Sequence, residues 1–140
     1  DMQANELDPL RETFKAELGL TDADIIDIPT IFYEPDFCGG HKVAMTPGTV
    51  NLIVANREGQ GDILMVPDPF ARPDGVGPDQ DPIAQDFEAR MPEGLSVAWI
   101  DDWYSYHLLD GEVHCGTNVT RTPNADWTTD GAPLLGLEGN

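Results

Sequence analysis

The chain has 140 residues, with seven Lys or Arg against 26 Asp or Glu, for a formal charge of −19. The length is about one domain's worth, and the charge excludes a nucleic-acid binder acting through a basic surface, because phosphate binding needs clustered Lys and Arg. Adsorption to an anionic membrane face is disfavoured for the same reason, while 40% apolar residues and 14 glycines are enough to build a core.

The longest apolar runs are a few residues, such as Leu52-Ile53-Val54-Ala55, far short of the roughly 20 needed to cross a bilayer. The opening Asp1-Met2-Gln3-Ala4 has no basic and apolar leader pattern, so no secretory signal is expected. Cys38 and Cys115 are too few for a disulfide framework; one bridge and a functional thiol are both open readings. The acidity suits solvation and salt tolerance first. Attraction of cationic substrates such as arginine-rich peptides comes second.

In chain order, Leu7, Leu10, Phe14 and Leu18 follow helical spacing. Asp8 is the expected N-cap, Pro9 the first helical residue and Gly19 the stop. Residues 25–33 read as a strand broken or edged at Pro29, and 34–42 as a loop. Residues 49–54 and 63–67 read as two further strands. The Pro- and Gly-rich stretch 68–82 reads as a surface connector. A second helix follows, with Asp81 as N-cap, Pro82 first, and Ile83, Phe87 and Met91 inward; Pro92-Glu93-Gly94 ends it. Strands are expected over 95–100 and, after a turn at Asp110-Gly111, over 112–119. The tail beyond Trp127 is weakly patterned.

The segment 8–18 matches 81–91 at an offset of 73 residues. Each helix leads into an apolar stretch, a Gly-containing turn and more apolar sequence. This suggests two units, roughly 5–67 and 80–125, with the acidic Pro/Gly loop 68–80 between them. Asp-Pro capping alone also produces such a match. Two repeat units are generally too few to bury their own faces.

Cys115 lies in Gly111-Glu112-Val113-His114-Cys115-Gly116-Thr117-Asn118. A thiolate is a nucleophile when a cation or base is near, and the following glycine permits close approach to sulfur. The competing reading is a small buried hydrophobe. On a strand, His114 points away from Cys115, whereas His107 lies across a turn and is the nearer candidate. Cys38-Gly39-Gly40-His41 offers two metal-type ligands without a second pair, and loop structure is the preferred reading. Asn51, polar within an apolar strand, needs a hydrogen-bond partner or lines a polar pocket. Asp101-Asp102 could clasp a guanidinium, although facing water is preferred. The sequon Asn118-Val119-Thr120 is discounted because its strand looks buried.

The run from Trp103 through Gly-Glu-Val-His-Cys-Gly-Thr-Asn to Val119 resembles the C-terminal end of protein-arginine deiminases. Leu18-Gly19-Leu20, residues 24–29, Thr49 to Val54 and Val66-Pro67 resemble the same family, in matching order across about residues 7–125. The resemblance implies an α/β fold of the pentein, or guanidino-modifying, type. In it five ββαβ-like modules close into a propeller, and this chain would cover about two of them.

It further implies that Cys115 attacks the guanidinium carbon of a peptidyl arginine. Ammonia leaves a covalent thiouronium, and water releases peptidyl citrulline. Asn51 matches a site-lining asparagine and is carried over as a substrate-binding residue. The family's catalytic histidine, its guanidinium-binding aspartates and its calcium ligands lie upstream of the matched region, so no metal ligand is assigned in this chain. His41, His107 and His114 do not take that histidine's place. Leu109 stands near a position where some members carry a substrate-contacting arginine. The expectation is a calcium-dependent deiminase whose site is completed by a second polypeptide or an upstream segment. The rivals are a non-catalytic scaffold of the same fold and a hydrolase of free arginine or agmatine. The compartment is left open between secreted and cytoplasmic.

Overall fold

β4, Ile63–Pro67, is the centre of the larger sheet. In the computed structural model, which describes residues 3–36, 39–56 and 58–120, β4 lies between β3 (Ile53–Ala55) and β5 (Ser96–Ile100). β3 pairs antiparallel with Val54 opposite Leu64, and β5 pairs parallel with Trp99 beside Val66. Parallel neighbours require a crossover, and a helix is the usual one. Here it is α2, Pro82–Arg90. The order β3-β4-α2-β5 is one ββαβ unit.

Alternation along β4 sends Leu64 and Val66 to one face, where they form the core with Phe87 of α2. Ile28, Leu52, Met91, Leu95, Val97 and Trp99 pack around them. Trp99 meets Phe87 edge-on with centroids 5.5 Å apart, and its indole N–H donates to Glu88 at 2.8 Å. The α2 stripe is therefore as expected, with Ala84 buried as well.

α2 starts where its sequence says it starts. Asp81 Oδ1 accepts from Ile83 N at 2.9 Å and Ala84 N at 3.1 Å, satisfying two of the helix's open donors. Pro82 gives up an N–H that had no helical partner. The expected connector is more ordered than its composition implies. Arg72 grips Asp68 through both Nη atoms and reaches Asp81 at 3.2 Å, while its Nε donates to Val76 O at 2.7 Å. The guanidinium also lies 5.0 Å over the Phe70 ring. Its pKa is pushed further up, chiefly by the hydrogen bonds it donates to Asp68.

The first helix departs from expectation at its start. α1 spans Asp8–Leu18 and ends at Gly19 in the left-handed region, φ 68°. Asp8 is already helical, however, because a π-helical turn, Gln3–Leu7, runs into it. Leu7, not Asp8, occupies the N-cap, and it supplies no side-chain bond. The stripe does not form a buried face: Leu10, Phe14 and Leu18 are all exposed.

The strand expected over 25–33 contracts to β1, Phe32–Tyr33, paired with β2, Val43–Ala44. Residues 25–31 are not in a strand; Pro29 has no N–H to give a ladder. The expected 49–54 strand is β3 only from Ile53, because 49–51 form a turn closed by Asn51 N to Gly48 O at 2.9 Å. The strand expected over 112–119 is absent. Gly116 N bonds back to Glu112 and Val113, and Thr117 N to His114, which coils 113–116 into successive turns. Among the described residues no helix is long and apolar enough to cross a membrane. The expectations for Cys38 and for the tail beyond Trp127 lie outside the described residues.

Candidate functional site

Two turns from distant parts of the chain meet at Cys115. One is the Gly48–Asn51 turn and the other runs from Glu112 to Thr117. His114 N donates to Asn51 Oδ1 at 2.8 Å, with Asn51 O also at 3.1 Å. Asn51 Nδ2 lies 3.4 Å from Cys115 Sγ, and Asn51 Oδ1 lies 3.8 Å from the same sulfur. Gly48 N donates to Glu112 Oε1 at 3.1 Å. The thiol is free and exposed. The half-buried Asn51 amide thus has partners for both its oxygen and its nitrogen, and it spends part of its capacity on the sulfur. It does this from a turn, not from within a strand.

Glu112 Oε1 also receives His107 Nδ1 at 2.9 Å. The imidazole rests on Trp103, centroids 4.9 Å apart, and Trp103 meets Phe70 edge-on at 5.7 Å. A continuous line of contacts therefore runs from Asp81 and Arg72 through Phe70, Trp103 and His107 to Glu112. Below it lies Asp102, 1% exposed, whose backbone carbonyl takes Tyr106 N at 2.9 Å and His107 N at 3.1 Å.

Among the described residues, the buried side-chain atoms without a hydrogen-bond partner are Thr49 Oγ1, both oxygens of Asp102, and Glu112 Oε2. All belong to these two turns and the segment beneath them. Such atoms are uncommon in native proteins and call for an explanation. Burial, and then the facing Glu112, push the Asp102 carboxyl up to about 6.

The sequence reading therefore needs four corrections here. Asp102 does not face water, although exposed Asp101 does. The sequon residues Asn118, Val119 and Thr120 are exposed and not in a strand, so the reason for discounting them falls. The alternation argument against His114 loses its premise, since no strand is present; it is the backbone N–H of His114 that contacts Asn51. His107 is turned to Glu112 and not to the sulfur.

His41 is exposed, and its proposed partner Cys38 is outside the described residues. Leu109 is exposed and brings no charge to the surface near the site. Gly116 has a second role beyond access: a Cβ there would sit 2.6 Å from Cε1 and 2.7 Å from Oη of Tyr106. Sequence reasoning missed Glu112 and Tyr106, and it set Asp102 aside as facing water. The only signal for Glu112 was its place in the distinctive run ending at Asn118.

A calcium site was expected to lie elsewhere. Among the described residues no group of three or more His, Cys, Asp or Glu could hold a metal ion. The acidic side chains of the described residues do not form a calcium cage.

Residues 1–129 match the family model for protein-arginine deiminase. The rat protein-arginine deiminase type-4 is 41% identical over 118 residues, covering 82% of this chain and 16% of its own length. Human type-1 is 38% identical over 117 residues and human type-4 is 39% identical over 114, each covering 81% of this chain and 16% of the relative. The chain thus spans about one sixth of the length of these relatives. By family match and identity together, the chain belongs to the protein-arginine deiminase family.

Proposed function

We propose that this chain carries the nucleophile of a protein-arginine deiminase and that Cys115 is that nucleophile. The observation that supports it most is the exposed thiol held on a tight turn with the Asn51 amide at 3.4 Å, in a chain of this family. The amide N–H orients the sulfur and stabilises negative charge on it.

In the reaction, the sulfur attacks the guanidinium carbon and a tetrahedral adduct forms. An acid protonates one nitrogen, the C–N bond breaks and ammonia leaves, giving a thiouronium on Cys115. Water adds to the same carbon and the C–S bond breaks. Peptidyl citrulline leaves and the thiolate returns. The histidine acid and the carboxylates that hold the guanidinium are supplied by an upstream segment or a second polypeptide, and any calcium is held there as well.

Assembly into a five-module propeller is part of the same proposal. The ββαβ unit over 53–100 supports it, as does apolar surface left exposed among the described residues. Leu10, Phe14 and Leu18 on α1 and Val54 on β3 are exposed. Exposed apolar patches and open strand edges mark contact surfaces.

The test uses the assembled protein, this chain together with the segment that completes the site. Citrulline formation from a peptidyl arginine is expected, with Cys115→Ala reducing it to background. Activity retained by Cys115→Ala overturns the assignment. Faster turnover of free arginine or agmatine than of peptidyl arginine overturns the substrate class. No labelling of Cys115 by a haloacetamidine favours a scaffold without catalysis.

A further inference from the structure

We infer that Glu112, braced by His107 and Asp102, is a positioning residue that holds the Cys115 turn against the Gly48–Asn51 turn and thereby aligns the sulfur on Asn51. The inference rests on the deiminase reading of Cys115 and adds a residue set to it. Glu112 is the only described side chain that bonds directly to the Gly48 backbone. The same Oε1 takes His107 Nδ1. One carboxylate oxygen thus ties the first turn to the segment beneath the second.

The donor count bears on three of the four orphan atoms, those of the two carboxyl groups. Two carboxyl groups bring four oxygens, and the two donors, Gly48 N–H and His107, both fall on Glu112 Oε1. Glu112 Oε2 and both Asp102 oxygens receive none. Two facing carboxylates repel unless a proton lies between them, and one shared proton gives a hydrogen bond to Glu112 Oε2 and to one of the two Asp102 oxygens. The raised Asp102 carboxyl, pushed up to about 6 by burial and then by Glu112, is in keeping with this. Among the described residues, Tyr33 of β1 and Asp110 are the other titratable groups that line the cleft of His107 and Glu112. A misplacement of about 1 Å at a reacting group costs on the order of 100-fold in rate, so a loosened Glu112 reaches the chemistry without touching substrate.

The experiment compares Glu112→Ala, Glu112→Gln and Asp102→Asn in the assembled protein. Two readings are taken on the same samples. One is kcat and KM for citrulline formation from benzoyl-arginine amide; the other is the rate at which iodoacetamide alkylates Cys115. Expected for Glu112→Ala is a kcat about 100-fold lower, with KM changed less than about threefold. Glu112→Gln restores most of the loss, because its carbonyl accepts the same two N–H groups and its NH₂ donates to Asp102. Asp102→Asn supplies a fixed donor to Glu112 and removes the inflection near pH 6 expected in the wild-type rate profile. Wild-type kcat in Glu112→Ala overturns the inference. So do equal losses in Ala and Gln variants that merely track thermal stability. If the wild type makes no citrulline, the deiminase reading has failed. The alkylation rates then decide the positioning claim alone: slowed by Glu112→Ala and restored by Gln supports it, unchanged overturns it.

Discussion

α1 and α2 begin with the same two residues, Asp-Pro, and carry an aromatic at the same place, Phe14 and Phe87. Their surroundings are opposite. Phe87 is fully buried between β4 and β5, and the carboxylate at the start of α2 accepts two helix N–H groups and meets Arg72. On α1 no residue is buried. Its basic side chains turn outward to carboxylates, Arg11 to Asp22 and Asp27, and Lys15 to Glu12 and Asp22. A shared motif therefore fixes that a helix starts, and neighbouring sheet decides whether that helix has a core. The α2 unit supplies its own neighbours, whereas the stripe of α1 is left exposed.

The sharpest way to break this comparison is to truncate both aromatics. Phe87→Ala empties a fully buried site and is expected to cost about 3–5 kcal/mol. Phe14→Ala removes a half-exposed ring and is expected to cost less than about 1 kcal/mol in this chain alone. Urea denaturation of the two variants measures both. In the assembled protein the gap narrows if α1 docks on a neighbouring segment. Equal costs in the isolated chain mean that α1 is packed there after all.

The next effect separates cap from ion pair at the start of α2. Asp81→Ala loses the two N–H bonds, worth about 1 kcal/mol, and leaves Arg72 with Asp68 alone. A total near 3 kcal/mol is expected, because a buried charge loses one partner. Asp81→Asn keeps an oxygen for the cap and recovers about 1 kcal/mol of that. Thermal melts of the pair give the split. If Asn is no better than Ala, the cap contributes nothing and Arg72 carries the junction.

How much of this was legible follows from range. β4, α2 and its cap were readable because the signals are local: a five-residue apolar run, Asp-Pro, and apolar spacing of four. The family resemblance singled out Cys115 and Asn51, and the structure brings these two side chains together. Glu112 was not legible, because its meaning depends on a contact with Gly48, 64 residues away in sequence, and nothing local marked Asp102 as buried beside it. The strand expected over 112–119 failed for a related reason. Its alternation is real, but no neighbouring strand among the described residues pairs with it, and local bonds from Gly116 and Thr117 win.

Asp81 and Asp102 make a second comparison, both buried aspartates but only one with donors. For Asp102 the folded carboxyl titrates near 6, above its ordinary value near 3.8. The folded state then holds more protons than the unfolded state between about pH 4 and 6. Stability contributed by this group must fall as pH rises through that window, at up to about 1.4 kcal/mol per pH unit. The exposed Asp22 and Asp86 have the opposite sign, since basic neighbours, Lys15 and Arg11 for Asp22 and Arg90 for Asp86, hold them below the usual range. Subtracting Asp102→Asn from wild type isolates the one group. The difference in denaturation free energy between pH 4 and pH 6.5 is expected to carry the slope, and a flat difference removes the buried-carboxyl account.

A small stability effect is expected at Gly116, where it is most informative about the site. Its missing side chain is filled by the Tyr106 ring, whose Oη would lie 2.7 Å from an added Cβ. The ring is partly exposed, so it can swing outward. Gly116→Ala is therefore expected to cost about 1 kcal/mol, at the low end for overpacking. The displaced ring or the shifted turn then changes the setting of the adjacent sulfur. The double variant Gly116→Ala with Tyr106→Ala tests which one moves. If the ring is the obstacle, the two changes are non-additive and the alkylation rate of Cys115 returns toward that of Tyr106→Ala alone. Strict additivity means that Gly116 is needed for its own backbone and that Tyr106 only fills the space beside it.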